Sequence, residues 1–171
     1  MKLDTAIRTA LEYEAGVQKA YRDAMDKTSD EAGKRVFKAL AEEEKGHVKY
    51  LKERLDEWQA TGQINVKKLG TAIPTKEAIT KGLQDVRKSV RKKATKLTLE
   101  LELLKKALEA ERKTSEFYKE MVSKLDGTGQ QLFERFVEIE EGHEAIVQAE
   151  IDCVNNSGIF MDTLEFGLEV G

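Results

Sequence analysis

Apolar residues recur at spacings of three and four along most of this chain, as they do on the buried side of amphipathic helices. The first such stretch covers residues 3–26. A second stretch begins after the turn 26-DKTSD-30, where Ser29 or Asp30 can cap it, and ends at Gly62. Because the turn between them is short, the two helices are expected to pack as an antiparallel hairpin.

The same arrangement returns in the second half of the chain. A helix is predicted over residues 98–125, the turn 126-DGTG-129 ends it, and a fourth helix runs to the stop signal 155-NNSG-158. A long connection, residues 61–97, joins the halves and contains a shorter helix that Thr75 can cap. No stretch shows convincing strand alternation. The pattern therefore predicts an all-α four-helix bundle of two hairpins with one crossover.

The chain is interpreted as one domain. Its parts are a first hairpin at about 3–60, a crossover at about 61–97, a second hairpin at about 98–155 and a docking tail at 156–171. The tail keeps apolar residues over 159–168, so it is expected to cover its own bundle or a partner subunit. A homodimer contact is the favoured interpretation.

Composition limits the kinds of binding partner and the cellular compartment that we expect for this chain. The formal net charge is −3, and the basic run 87-RKSVRKKATK-96 is interpreted as the solvated face of the crossover helix, so no nucleic acid is expected. A single Cys153 excludes an internal disulfide framework and a Cys₄ metal site, and it fits a reducing compartment. Neither a signal segment nor a membrane-spanning stretch is seen, which predicts a cytoplasmic protein without a membrane partner.

Two short motifs, 44-EKGH-47 and 140-EEGH-143, contain the only histidines. They belong to a long internal repeat with an offset of 96 to 97 residues. The matching pairs are Glu14 and Glu111, Tyr21 and Tyr118, Glu44 and Glu140, and His47 and His143. Gly46 and Gly142 precede the histidines, and each costs about 1 kcal/mol inside a helix, so we expect them to make room for a neighbouring helix or for solvent.

Helical phase places the repeated Glu and His residues on the apolar side of their helices, whereas Glu42 and Glu43 flank that side. Four ionised carboxylates in a dry core would each cost several kcal/mol, and no Lys or Arg shares their side nearby. Two divalent cations would balance the four charges. Glu-x-x-His places both side chains on one helix face, and carboxylate with imidazole favours iron or manganese. The predicted metal ligands are Glu14, Glu44, His47, Glu111, Glu140 and His143.

On the motifs 14-EAGVQKAY-21, 44-EKGH-47, 111-ERKTSEFY-118 and 140-EEGH-143, the sequence resembles the rubrerythrin-like branch of the ferritin-like superfamily. The resemblance implies a carboxylate-bridged centre of two iron ions, with manganese as the alternative. It implies that Glu44 and Glu140 bridge the ions, that Glu14 with His47 and Glu111 with His143 are terminal ligands, and that Tyr21 and Tyr118 donate hydrogen bonds to ligand carboxylates.

Two positions depart from that family. Full rubrerythrins carry a rubredoxin-like Cys₄ iron domain, which one cysteine cannot supply, and Thr114 stands where the family has a further metal-binding Glu. Glu150 also lies near the apolar side of its helix and is expected at the bundle end, with solvent access, rather than as a ligand.

The favoured function is a di-iron oxidoreductase that reacts with peroxide or O₂ in oxidative-stress defence, with electrons from a separate donor protein. Three alternatives remain open: a ferroxidase with Fe²⁺ as substrate, a di-manganese catalase-like enzyme, and a helical interaction module whose metals only hold the bundle.

Overall fold

A computed structural model of the chain describes residues 1–89 and 96–161, the side chains of residues 85–89 excepted. Over these residues the protein contains five helices and no strand, which confirms the predicted all-α fold class. The helices are α1 (Leu3–Lys27), α2 (Glu31–Thr61), α3 (Lys76–Ser89), α4 (Thr98–Lys124) and α5 (Gly127–Ser157).

The long helices end where local chemistry favours an end. Asp30 caps α2, because its side chain accepts a 2.7 Å hydrogen bond from the backbone N–H of Gly33. Gly62 ends α2 with a φ of 70°, and Gly158 ends α5 with a φ of 66°. This left-handed conformation suits glycine, which has no Cβ to clash with the backbone.

The four long helices form two antiparallel hairpins, α1 with α2 and α4 with α5, and α1 lies antiparallel beside α4. At one end of this α1–α4 pair, the Thr28 hydroxyl donates a 3.0 Å hydrogen bond to Glu100. At the other end, Leu3 packs against Gly129 at the start of α5. The crossover therefore runs the length of the bundle, from the end of α2 to the start of α4.

Side chains of α2 and α5 fasten the first part of the crossover over these two helices. The contacts are Tyr50 to the Lys67 carbonyl, Arg54 to the Asn65 carbonyl, Arg135 to the Leu69 carbonyl, and Glu43 to Thr71 and Ala72. They satisfy backbone groups that no helix pairs, so they hold this irregular segment on a defined path.

The apolar core is divided into two clusters. One cluster lies toward the α1–α2 turn and includes Tyr21, Phe37, Leu40, Leu104, Ile146 and Phe160. The other lies toward the α4–α5 turn and includes Ile7, Leu51, Tyr118, Phe133, Phe136 and Ile139. The repeated Glu and His residues fall between these clusters along every long helix, and so form a polar layer across the bundle.

The described part of the tail covers its own bundle. Phe160 is buried, and its ring meets that of Phe37 edge to face at 5.8 Å. Gly33 makes this approach possible, because a Cβ there would lie 2.9 Å from the Phe160 ring. Residues 162–171, the rest of the tail, lie outside the described residues, and the homodimer contact stays a prediction.

The structure describes only part of the basic run of the crossover, residues 87–96. Helix α3 extends into this run as far as Ser89, whereas residues 90–95 and the side chains of residues 85–89 lie outside the described residues. Among the helices that are described, none combines the length and the hydropathy needed to cross a membrane.

Candidate metal centre

The polar layer contains all six predicted ligands, and each is at most 1% exposed: Glu14, Glu44, His47, Glu111, Glu140 and His143. Four of them form a tight group, in which one donor atom from each of Glu44, His47, Glu140 and His143 lies within 4.8 Å of the others. Buried carboxylates and imidazoles at this separation could hold a metal ion.

Glu44 lies between the two histidines. Its Oε1 is 2.7 Å from Nδ1 of His143, and its Oε2 is 3.3 Å from Nδ1 of His47. The two imidazole rings stack with centroids 5.1 Å apart and an angle of 16° between their planes. One carboxylate thus faces both imidazoles, and Glu140 approaches the same space with Oε1 3.8 Å from His47 Nδ1.

The two remaining carboxylates flank the group on opposite sides. Glu14 Oε2 lies 3.1 Å from His47 Nδ1, and Glu111 Oε1 lies 3.6 Å from His143 Nδ1. The same relation between a Glu and a His therefore occurs twice, as the sequence repeat predicts, with the Nδ1 edge of each imidazole toward the carboxylates.

Each of the two repeated tyrosines donates a hydrogen bond to a carboxylate of the other hairpin. Tyr21 of α1 donates to Glu111 of α4, and Tyr118 of α4 donates to Glu14 of α1. Burial and the adjacent carboxylate raise the pKa of each tyrosine well above its ordinary value. Both hydroxyls therefore keep their protons and act as donors.

The four carboxylates divide into two kinds. Burial raises the pKa of Glu14, but attraction from His47 and hydrogen bonds outweigh it and bring the pKa to about 2. The pKa of Glu111 is lowered despite burial, through the nearby His143 and the hydrogen bond from Tyr21. Burial and repulsion from Glu14 raise the pKa of Glu44 to about 8, and burial and repulsion from Glu111 raise that of Glu140 well above 4.5. The layer thus favours the ionised form of Glu14 and Glu111 and the protonated form of Glu44 and Glu140.

Both histidines are cationic without metal. Burial lowers the pKa of His47, but attraction from Glu44 and Glu14 outweighs it and raises the pKa to about 10. Burial lowers the pKa of His143, but attraction from Glu44 and from the nearby carboxylates of Glu111 and Glu43 outweighs it and raises the pKa well above 6.5. The surrounding carboxylates thus favour the cationic form of both imidazoles in the metal-free protein.

The donor atoms fit metal ions better than they fit one another. Among the described residues, both oxygens of Glu44 and Glu140, one oxygen of Glu111, Nε2 of His47 and both ring nitrogens of His143 are buried without a hydrogen-bond partner. Buried polar atoms are nearly always paired, and groups left without partners are often explained by an ion. Carboxylate oxygens with imidazole nitrogens are a donor set that iron and manganese accept.

Sequence reasoning missed one residue of the layer. Glu43 was placed beside the apolar side of α2, but its Oε2 lies 3.6 Å from Nε2 of His143. Its oxygens also accept 2.7 Å hydrogen bonds from the Thr71 hydroxyl and the Ala72 backbone N–H. Only the path of the crossover reveals this position, and helical periodicity says nothing about that path.

Two further positions refine the sequence-based expectations. Glu150 is 1% exposed, and its Oε2 accepts a 3.0 Å hydrogen bond from the Met161 backbone N–H, so the expected solvent access was wrong. The chain turns back after α5 and covers this carboxylate. Thr114 is fully buried, and its hydroxyl donates to the Ala110 carbonyl at 3.0 Å, so it places no carboxylate at the site.

The two glycines before the histidines differ in their surroundings. Gly142 is buried, and a Cβ there would lie 2.9 Å from the Pro74 carbonyl oxygen of the crossover. Gly46 is exposed, and nothing lies within 4 Å of the corresponding position. One glycine therefore makes room for backbone and the other borders open space.

Comparison with known proteins identifies no family for this chain, so the function is inferred from the geometry of the site. No protein-family model, curated protein or solved structure significantly matches the chain. Fold and site together define an all-helical protein with a buried carboxylate–histidine cluster that could hold a metal ion, compatible with a ferritin-like di-metal fold.

Proposed function

We propose that the protein is a rubrerythrin-like di-iron oxidoreductase that reduces peroxide or O₂ in defence against oxidative stress. The observation that carries the proposal is the duplicated, buried Glu/His layer, in which Glu44 faces both histidines. Glu44 and Glu140 would bridge two ions, Glu14 with His47 would complete one half, and Glu111 with His143 would complete the other. Two iron ions held there supply electrons and Lewis acidity for oxygen chemistry.

The chain's own residues position, shield and neutralise the site. Tyr21 and Tyr118 hold Glu111 and Glu14 by hydrogen bonds from the opposite hairpin, which restricts the rotation of both carboxylates. The apolar clusters on either side exclude bulk water and so strengthen every electrostatic interaction in the layer. Protons on His47, His143, Glu44 and Glu140 would leave as two divalent cations bind, so that about four positive charges replace four.

Kinetic measurements on the loaded protein test this function. Elemental analysis of protein purified without added metal identifies the native ions, and stopped-flow spectroscopy follows anaerobically Fe²⁺-loaded protein mixed with peroxide or with O₂. We expect oxidation faster than that of free Fe²⁺, and faster with peroxide than with O₂. Glu44→Gln is the matched control, because it keeps the shape of the side chain and removes the charge. Oxidation no faster than free iron would leave the metals a purely structural role.

Iron oxidation is the second candidate, and the single cysteine favours it. A Cys₄ electron-transfer centre cannot be built within these 171 residues, which contain only Cys153, so the electrons would come either from a donor outside them or from Fe²⁺ itself. Adding excess Fe²⁺ with O₂ separates the two. A ferroxidase continues to consume Fe²⁺ beyond the bound equivalents, whereas a peroxidase stops until an external reductant is added.

The same preparations address the manganese alternative and the oligomeric state. Manganese in the purified protein, with O₂ release from peroxide by the Mn²⁺-loaded form, would replace the iron proposal by a catalase-like one. Light scattering measures whether the chain forms the proposed homodimer.

A further inference from the structure

The two halves of the metal centre differ on the outer side of their histidines. His143 directs Nδ1 toward Glu44 and Glu111, and its opposite nitrogen, Nε2, lies 3.6 Å from Oε2 of Glu43. A carboxylate on the outer nitrogen of a metal-binding imidazole fixes the tautomer and the ring orientation and makes the inner nitrogen a stronger ligand.

Glu43 is held in place for this contact. Its two oxygens accept hydrogen bonds from the Thr71 hydroxyl and the Ala72 N–H, both at 2.7 Å, and its side chain is 14% exposed. The crossover therefore holds the Glu43 carboxylate in a fixed position beside His143.

The other half has no such anion among the described residues. The repeat offset that relates His47 to His143 relates Glu43 to Ile139, an apolar residue that is 3% exposed. Nε2 of His47 is buried without a hydrogen-bond partner, and its ring packs edge to face on Phe136 with centroids 5.5 Å apart. The outer side of His47 is thus apolar where that of His143 is charged.

We propose that Glu43 is a positioning residue for His143 and makes the two halves of the metal centre unequal, so that the ion beside His143 binds more tightly than the ion beside His47. The inference rests on the proposed metal binding and adds an order of loading to it. An additional negative charge near one ion favours the dication there, and an oriented imidazole loses less freedom on binding.

The inequality also connects the crossover to the site. Thr71 and Ala72 hold Glu43, Glu43 faces His143, and the Pro74 carbonyl lies against Gly142, the residue before that histidine. Gly46, at the matching place in the other half, borders open space. The crossover has no counterpart in the repeat, and it is also the segment that makes the surroundings of His143 differ from those of His47.

Calorimetric titration with Mn²⁺, which is stable in air, tests the proposal on the full chain. We expect two resolved binding steps, of which Glu43→Gln weakens the tighter one by about 10- to 100-fold and leaves the weaker one within about twofold. Glu42→Gln is the matched control, since Glu42 is exposed and forms an ion pair with Lys45 of its own helix, and it should change neither step. Equal weakening of both steps by Glu43→Gln, or no change, would overturn the inference.

Nitrogen NMR of the two histidines adds a readout that general destabilisation would not produce. With diamagnetic Zn²⁺ bound, His47→Ala and His143→Ala assign the two sets of ring signals. Glu43→Gln is expected to shift the signals of His143 and leave those of His47 in place. Shifts in both rings, or in neither, contradict the inference, whereas absence of any bound ion contradicts the proposed function itself.

Discussion

Tyr21 on α1 donates its hydroxyl hydrogen to Glu111 on α4, a residue 90 positions away in the chain. The corresponding residues of the repeat make the same contact in the opposite direction, with Tyr118 on α4 donating to Glu14 on α1. Both bonds join the two hairpins at the level of the metal centre, so the same tyrosines hold the bundle together and orient carboxylates. Removing one hydroxyl should therefore affect metal binding without removing a ligand.

Tyr21→Phe is expected to bind two ions with about 10-fold lower affinity in the half that contains Glu111, because the carboxylate loses its only tyrosine donor. Competition with a chromophoric chelator measures the change. Tyr50→Phe is the matched control, since Tyr50 donates to the Lys67 carbonyl of the crossover at 2.6 Å and not to a ligand. If both variants weakened metal binding equally, orientation of Glu111 would not be the cause.

Metal uptake should release protons in a fixed ratio. Near neutral pH the metal-free layer holds protons on His47, His143, Glu44 and Glu140, as their raised pKa values indicate. Two divalent ions must displace about four protons, because ligands bind metals in their deprotonated forms. Calorimetry in buffers of different ionisation enthalpy counts them. Release of about one proton or fewer per pair of ions would show that the metal-free layer is not protonated in this way.

The stabilisation by metal should increase with pH. In the metal-free protein Glu44 has a pKa raised from 4.5 to about 8, so the stability that its proton provides is lost as pH rises through 8. His47, raised from 6.5 to about 10, likewise stabilises fully below 6.5 and less as pH rises. Glu14, lowered to about 2, acts in the opposite sense and loses its contribution only as pH falls from 4.5 through 2.

Bound metal replaces those protons, so the loss at high pH is absent from the loaded protein. The difference in melting temperature between Mn²⁺-loaded and chelator-treated protein is therefore expected to be larger at about pH 8.5 than at about pH 6. Thermal unfolding at the two pH values measures it. A difference that shrank with rising pH would contradict the protonation states assigned to Glu44 and His47.

Loss of Glu44 should empty both halves of the centre. The two oxygens of Glu44 face different histidines, so Glu44→Ala is expected to remove both ions rather than one. We expect the same of Glu140→Ala, because Glu140 is the counterpart of Glu44 in the repeat. Elemental analysis of each variant gives the stoichiometry, with the exposed neighbour Glu141→Ala as the control that keeps both ions. Retention of one full equivalent by the Glu44 variant would rule out bridging.

Periodic features of the chain were predictable and irregular ones were not. The spacing of apolar residues predicted the four long helices, and the phase of Glu14 and Glu44 within it predicted burial, because a helix fixes the direction of each side chain. The repeat predicted that Glu14 and Glu44 lie in one layer with their counterparts in the second hairpin. These inferences needed no knowledge of how distant segments meet.

The role of Glu43 required that knowledge. It lies off the apolar side of α2 and is partly covered by Thr71 and Ala72 of the crossover, which has no periodic pattern from which its path could be predicted. Glu150 was misjudged for the same reason, since its burial depends on Met161 after the turn at Gly158. Burial by an irregular segment leaves no periodic signal in the sequence.

The two glycines before the histidines provide a matched test of the crossover's position. Gly46→Ala should stabilise the metal-free protein by about 0.5–1 kcal/mol, because alanine favours the helix and open space surrounds the position. Gly142→Ala should instead destabilise it by about 1–3 kcal/mol, since its Cβ would lie 2.9 Å from the Pro74 carbonyl oxygen and backbone must move.

Urea unfolding of both variants in the presence of a chelator measures the two changes without the contribution of metal. The opposite signs are the informative result, because the two substitutions are chemically identical and precede corresponding histidines. If Gly142→Ala proved as stable as Gly46→Ala, the crossover would not press against α5 at this point. The support that holds Glu43 beside His143 would then be lost with it.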